Sequence, residues 1–316
     1  MIRWGIIGAG GIAKRFLKSL SHSENGIFYA IASLTPSKQQ DYRLQYPDIQ
    51  VYGSYEEIIN DENVDAIYIA NRHKDHYQWA KEALKHKKAV LCEKPATLSY
   101  RQTKELCDLA KENNVLFLEG MKTRFVPLVY DIKELLNQKV IGDVVRVETC
   151  FAYNAPYREG HYLHDVDQGG ILYDVSSYNL ASIIDYISSP LQSIESKFVF
   201  ENGVDANDQI ELLFESGQSA YIDIAMNENK EKIMTIYGTE GKITAVPFYR
   251  PEEIKIELNN GESYTKQKSY IYDDFYTEIE EVHSCINQHL IESPRMTHQD
   301  SLKIIEYIEK IKETFK

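Results

Sequence analysis

Residues Gly8-Ala9-Gly10-Gly11-Ile12-Ala13 read G-x-G-x-x-A, and that spacing suits one kind of chemistry. The first glycine permits a tight turn, and the second lets the backbone approach a pyrophosphate. A small residue at the sixth place lets the following helix pack close to the preceding strand. The N–H groups and dipole at the start of that helix then attract phosphate charge. Gly8, Gly10, Gly11, Ile12 and Ala13 are therefore expected to bind a dinucleotide. After the next apolar run, Ser33, Thr35, Ser37 and Lys38 stand where an adenosine ribose would lie. No Asp or Glu occurs there to select NAD. The hydroxyls and Lys38 could take a 2′-phosphate, so the cofactor expectation is NADP or NAD with a lean to NADP; an ordinary polar loop has the same composition. Lys94 follows the apolar run Val90–Cys92. Ligands in open α/β sheets bind beyond the carboxyl ends of strands, which places Lys94 to meet one. His161, His164 and Asp165 resemble a metal triad by composition alone. With no further ligand placed by the sequence, they are read as polar substrate surroundings with no metal.

These residues need particular elements to hold them. Apolar runs at Ile2–Ile7, Ile27–Ala32, Asp65–Ala70, Ala89–Cys92 and Val115–Leu118 alternate with helical patterns at Ile12–Leu20, after Ser54, at His76–His86 and after Ser99. Such alternation implies a parallel sheet covered on both faces. Past residue 122 the period changes to two, at Val144–Phe151, Gln192–Phe200, Gln209–Phe214, Ser219–Ile224 and Ile233–Tyr237, with turn signals between them. One helix, about Gly170–Tyr186, interrupts this meander, and two more close the chain at about Asp273–Leu290 and His298–Thr314. The expected division is 1–121 and 122–316, with the C-terminal helix free to pack back on the first domain.

Composition excludes several classes. The 316 residues include 48 acidic and 35 basic side chains, a net charge of −13. That balance argues against nucleic acid as a general partner, since phosphate backbones need clustered Lys and Arg. Four cysteines without a C-x-x-C pair are poor material for a disulfide framework or structural zinc. No apolar run approaches the roughly 20 residues of a membrane span, and the N-terminus has no signal-peptide pattern. The expectation is a cytoplasmic protein acting on a small molecule, with no membrane partner. Tyrosine, at 23 residues against 11 phenylalanines, is over-represented.

The segment Glu93-Lys94-Pro95, in register with the N-terminal glycine motif, resembles the signature of the glucose–fructose oxidoreductase / inositol dehydrogenase (Gfo/Idh/MocA) family. Tyr52–Glu57 (YGSYEE) and Val64–Ala70 (VDAIYIA) sit in the family's order, and the resemblance covers essentially the whole chain. It implies an N-terminal Rossmann doubly wound parallel sheet and a C-terminal α+β domain for substrate binding and oligomerisation. That second domain would carry a mostly antiparallel open sheet, through which a homodimer or homotetramer would form. The family's second signature reads G-G-x-L-x-D-x-G-x-H. Here Gly169, Gly170, Leu172 and Asp174 match, Ser176 replaces the glycine and Tyr178 the histidine. Tyrosine there resembles the subgroup of dimeric dihydrodiol dehydrogenase and NADP-dependent D-xylose dehydrogenase. Glu119–Pro127 (EGMKTRFVP) resembles that subgroup's E-A-M-W-x-R-F-x-P, with Lys122 in the tryptophan place beside Arg124.

The resemblance also assigns roles. Lys94 lies beside the nicotinamide and the reacting carbon. Ala70, Asn71, His73, His76 and Glu93 line the cofactor, His73 occupying the asparagine place of the family's T-P-N-x-x-H. Lys122, Arg124, His161 and His164 are candidate substrate contacts. Oxidising an alcohol needs a hydride acceptor and a base for the hydroxyl proton. Tyrosine, with a pKa of about 10, needs a neighbouring cation to serve, so Tyr178 is expected as the acid/base with Lys94 tuning it. Asp174, four residues earlier and on the same helix face, would bind a second hydroxyl or orient Lys94. The expected activity is NAD(P)-dependent hydride transfer to or from a CH–OH group of a sugar, polyol or related compound. A redox-assisted glycosidase and a non-catalytic NAD(P)-binding sensor are the alternatives.

Overall fold

The computed structural model describes residues 1–315. The chain forms two compact units: Met1–Gly120 together with Ile271–Leu302, and Met121–Tyr270 together with the residues from Lys303 on.

In the first unit β1 (Ile2–Ile7), α1 (Gly11–Leu20), β2 (Gly26–Ala32), α2 (Pro36–Gln45), β3 (Gln50–Tyr52), α3 (Tyr55–Asn60), β4 (Ala66–Ile69), α4 (His73–Lys85), β5 (Ala89–Glu93), α5 (Tyr100–Asn113) and β6 (Phe117–Gly120) alternate. The strands make one six-stranded sheet in the order β3-β2-β1-β4-β5-β6, parallel throughout. Each inner strand is buried on both sides, which is why the strands read as continuous apolar runs. Ile7, Ile67, Ile69 and Val90 pack with Ile58, Leu84 and Leu106 from α3, α4 and α5. Tyr68 stacks on Phe16 of α1 with ring centroids 4.0 Å apart. Ser54 caps α3 with a complete capping box to Glu57, as the Ser-x-x-Glu spacing predicts. α2 escapes the periodicity because it buries only Tyr42.

In the second unit α6 (Pro127–Asn137), β7 (Val144–Ala152), α7 (Ile171–Tyr186), β8 (Leu191–Glu201), β9 (Val204–Phe214), β10 (Ser219–Ala225), β11 (Met234–Gly238), β12 (Gly241–Ala245), β13 (Glu253–Leu258) and β14 (Ser263–Gln267) follow in order. They form an eight-stranded sheet ordered β14-β13-β12-β11-β7-β10-β9-β8. All its pairs are antiparallel except β7–β10. α7 packs on β7, β9 and β10. The α/β architecture expected from the two periodicities is the one observed. α6, β12, β13 and β14 lie beyond the expected set.

The last two helices are α8 (Tyr276–Asn287) and α9 (His298–Lys312). The expected cut at 121/122 leaves the C-terminal helix free to pack back on the first domain; in the structure Ile271–Leu302, which carries α8, groups with the first unit, and the residues from Lys303 on group with the second. The physical reason is the uncovered flank of α1. Phe275 meets the Phe16 ring edge-on at 6.1 Å. Asp274 pairs with Arg15 at 2.6 Å. Trp4 Nε1 donates to Nε2 of the buried His283 at 2.9 Å. No described helix is long and apolar enough to cross a membrane.

His283 supplies a test of this docking. Burial holds its imidazole below the ordinary value of 6.5 against the opposing pull of the Glu280 carboxylate, and the neutral ring accepts the Trp4 N–H. A folded value below the unfolded one means that stability is present above pH 6.5 and is lost as pH falls through the folded value. His283→Gln, which carries no such proton, is expected to flatten the acid side of a thermal-melting curve between pH 7 and 5. An unchanged acid limb would contradict this.

Candidate functional site

The turn after β1 separates two kinds of glycine. Gly8 has φ +100°, and a Cβ there would stand 2.7 Å from the Ala70 carbonyl oxygen. The protein's own packing therefore demands glycine where β1 and β4 end side by side. At Gly10 and Gly11 a Cβ would meet nothing within 4 Å. Gly10 caps α1 in extended conformation with no side chain on the helix N–H groups. Protein sterics leave these positions open, so an occupant of the space above α1 is what would need them bare. Ala13 is wholly buried against the sheet, and Ile12 is half-buried beside it. This is the topological switch point of a 3-2-1-4-5-6 sheet, where such folds bind dinucleotides. At the end of β2, Ser33 Oγ accepts from Thr35 N at 3.2 Å. Thr35 then caps α2, and Lys38 is exposed in its first turn.

The end of β5 is held from three sides. Tyr68 donates its hydroxyl to the buried Glu93 at 2.5 Å. His76 Nδ1 donates to the Pro95 carbonyl at 2.9 Å. Ala96 N donates to Glu119 Oε1 at 2.9 Å. The half-buried Lys94 is thereby fixed in backbone position on both flanks. Burial pushes the His76 imidazole down, so it stays neutral at pH 7 and its Nδ1 carries the proton. Its Nε2 is buried with no partner among the described residues, and so are both amide atoms of Asn71. Ala70 and His73 are buried at the same strand end, and the His73 ring lies 5.7 Å from that of His76. Buried polar atoms left unsatisfied are costly; a ligand that is itself rich in polar groups satisfies them. On these observations the residues fit a nicotinamide dinucleotide.

In the second unit, Asp174 accepts hydroxyl protons from Tyr153 at 2.5 Å and from Tyr162 at 3.1 Å. Burial and the Asp174 charge raise the Tyr153 phenol well above its ordinary value, so that hydroxyl stays protonated. Tyr178, one helical turn on, is 8% exposed. Its ring lies 6.0 Å from Phe151 and nearly parallel to it, and 5.7 Å from Tyr249. Ser176, in the place of the family's glycine, donates to the Leu172 carbonyl of its own helix and so fits without disturbance. Lys122 and Arg124 are buried on the short turn Lys122–Arg124, and Arg124 pairs with Asp185 at 3.0 Å. That contact gives Arg124 a structural partner of its own. His161 Nδ1 accepts from Leu163 N at 3.3 Å. His164 lines a cavity of about 300 Å³ with Asn154, Tyr157, Glu201 and Asn227. Among the described residues no three His, Cys, Asp or Glu side chains gather to hold a metal.

Sequence reasoning missed Tyr68, Glu119, Tyr153, Tyr162, Phe151 and Tyr249. Tyr68 and Glu119 lie inside segments that resemble the family, but nothing in those segments marks a supporting role. The tyrosine surplus is the one signal for Tyr153, Tyr162 and Tyr249, and nothing in the sequence marks Phe151.

Two family models match. The oxidoreductase family model with an NAD-binding Rossmann fold covers residues 2–121, and the GFO/IDH/MocA C-terminal domain model covers 129–244. D-xylose 1-dehydrogenase (NADP(+)) of Hypocrea jecorina is 29% identical, over 98% of this chain and 90% of that protein. The scyllo-inositol 2-dehydrogenase (NADP(+)) of Bacillus subtilis is 26% identical, over 98% and 96%. A 3-ketoreductase from Actinomadura kijaniata, solved with NADP and TDP-benzene, superposes with a TM-score of 0.90 at 22% identity, covering 99% of this chain and 97% of that one. With its glycine turn, strand-end lysine and open second sheet accounted for, the chain belongs to the GFO/IDH/MocA family of NAD(P)-binding oxidoreductases.

Proposed function

We propose that this protein is an NADP-preferring dehydrogenase or reductase that acts on a hydroxyl-bearing carbon of a sugar or polyol. The observation that carries the cofactor half is the bare helix start at Gly10 and Gly11 above a strand end with unsatisfied polar atoms at Asn71 and His76. The substrate half rests on the dehydrogenases named above. When bound, the nicotinamide takes or gives the hydride. Gly8, Gly10, Gly11, Ile12 and Ala13 shape the pyrophosphate turn. Ser33, Thr35 and Lys38 take the 2′-phosphate at the start of α2, where helix dipole and ammonium both favour an anion. Asn71 and His76, with Ala70, His73 and Glu93, hold the cofactor's polar edge. Lys94 binds the substrate oxygen and favours its negative charge. Tyr178 moves the proton to or from that oxygen. Asp174, fixed by Tyr153 and Tyr162, orients a neighbouring hydroxyl of the substrate. Lys122, His161 and His164 complete the polar surroundings, and Arg124 supports them through Asp185.

We further propose a homodimer or homotetramer assembled through the second sheet. Its outward face carries an ordered polar network: Arg146 on Glu148 and Glu211, and Tyr237 on Glu148 at 3.0 Å. The division into a first domain at 1–121 and a second at 122–316 stays part of this reading, with Ile271–Leu302 added to the first. Four free cysteines support a reducing, cytoplasmic setting. Light scattering of the purified chain tests the assembly, and a monomer at micromolar concentration rejects it.

Titration calorimetry with NADP and NAD tests the cofactor half. Gly10→Val should leave the melting temperature near that of the parent and weaken both dinucleotides at least about tenfold, since its side chain fills only the ligand's space. Lys38→Glu should weaken NADP selectively. For the chemistry, Tyr178→Phe is expected to lower kcat by roughly 10²–10⁴ with dinucleotide Kd unchanged. Near-normal turnover would remove Tyr178 from the proton path. Sugar release without net reduction of the dinucleotide would instead indicate the glycosidase reaction. Tight binding without turnover across a sugar and polyol panel would indicate a sensor.

A further inference from the structure

Beneath the start of α7 lie two carboxylates that no role above uses. β9 pairs with β8 as Asp208 to Phe198, Asn207 to Val199 and then Asp205 to Phe200, so Ala206 is an extra residue in the ladder. This bulge turns Asp205 onto the same sheet face as Asp208, the face covered by α7. Both side chains are buried, Asp205 at 6% and Asp208 at 0% exposure. Asp205 Oδ2 accepts from Leu172 N in the first turn of α7 at 2.7 Å. A Cβ on Gly170, whose φ is +91°, would stand 2.0 Å from Asp205 Oδ1. The second glycine of the G-G-x-L-x-D signature is therefore the seat of this carboxylate. Asp208 has no N–H or hydroxyl donor on either oxygen among the described residues. Its neighbours across the ladder are Phe198 on β8 and Ile224 on β10, neither of which titrates. Burial pushes Asp205 up as well, opposed by backbone N–H groups, by Asp208 and, least of these, by Lys312 of α9, which donates to Tyr173 of α7 at 2.9 Å. Asp174, on α7 itself, is occupied by Tyr153 and Tyr162.

Two ionised carboxylates on one dry face, one of them without a donor, are not sustainable: desolvation and mutual repulsion both oppose the second charge. We propose that Asp205 and Asp208 hold one proton between them, and that this acid pair positions the helix turns carrying Asp174 and Tyr178. Asp208 is the protonated member and donates to Asp205, and Asp205 keeps its charge against the α7 N–H groups. These are positioning residues; the effect on turnover rests on the Tyr178 assignment above, whereas the proton itself does not.

Burial and the Asp205 charge push Asp208 up to about 9. Unfolded aspartate titrates near about 3.9, so the folded chain keeps a proton that the unfolded chain gives up. The pair's stabilisation is full below the unfolded value and is lost as pH rises through the folded one. Difference infrared spectroscopy at pH 7 on the full chain should reveal a carboxylic-acid C=O band that Asp208→Asn abolishes. Asp205→Asn should shift this band, because the acceptor changes from a carboxylate to an amide. The melting temperature of Asp208→Asn should gain on the parent progressively from pH 5 to pH 9. Asp208→Asn, whose amide can still donate to Asp205, should retain kcat within about twofold, and Asp205→Ala should lose about tenfold. If Asp205→Ala does not fold, the band shift in Asp205→Asn decides the pairing. Absence of the acid band, a band unmoved by either asparagine, or parallel melting curves would overturn the shared proton. If the band behaves as expected but Asp205→Ala keeps full turnover, the pair is structural and the positioning role falls. Loss of Tyr178 function alone would leave the infrared and melting results intact.

Discussion

The contact on which the first unit turns is the approach of β1 to β4 at Gly8. A side chain there would press on the Ala70 carbonyl at 2.7 Å, so the two central strands can end side by side only if the chain leaves β1 through a glycine in positive φ. That exit aims α1 with its first N–H groups bare. It also brings the Gly10 turn alongside the β4 end that carries Asn71. The Lys94 segment is built on the same frame: Tyr68 of β4 reaches Glu93, and His76 of α4 reaches Pro95. Hydrogen bonds from the neighbouring strand and helix do this work, so the frame around Lys94 sets the position of its backbone.

The second unit solves a different problem with different material. The side chains proposed for its chemistry ride on one helix, α7, packed over an open sheet. A helix positions residues only as well as its first turn is anchored. Asp205 beneath that turn, Tyr173 with Lys312 beside it, and the Phe151 and Tyr249 rings against Tyr178 supply the anchoring. Much of the tyrosine surplus finds a place in such work. Tyr153 and Tyr162 hold Asp174, and Tyr221 and Tyr237 lie among the charges of the outward sheet face. Each offers ring area for packing and one hydroxyl for a carboxylate.

The parts legible in the sequence were those written in local periodicity or in short motifs. Strands buried on both faces are unbroken apolar runs, and the Gly8–Ala13 turn and the Ser54–Glu57 capping box are complete within a few residues. α2 was illegible because a helix that buries one tyrosine has no stripe to read, and β13 and β14 lie at the sheet's open edge where little is buried. The return of Phe275 and His283 to α1 left no trace, since nothing local tells an aromatic residue which distant ring it will meet. The same holds for Asp205 and Asp208: their shared face follows from a bulge at Ala206, which only the ladder register reveals. Arg124 illustrates the converse, a residue that matches a motif and pairs with a buried structural carboxylate, Asp185.

The return of Ile271–Leu302 to the first unit has a consequence for how the protein is made. Trp4 and Phe16 leave the ribosome long before Phe275 and His283 exist, so about four-fifths of the chain is translated with the outer flank of α1 exposed to solvent. The nascent dinucleotide-binding unit cannot finish folding as a simple N-terminal module; it waits for a segment translated after the whole second sheet. A chain stopped at Gly120 would keep its glycine turn and its six strands and still present an aromatic face to the cell's chaperones.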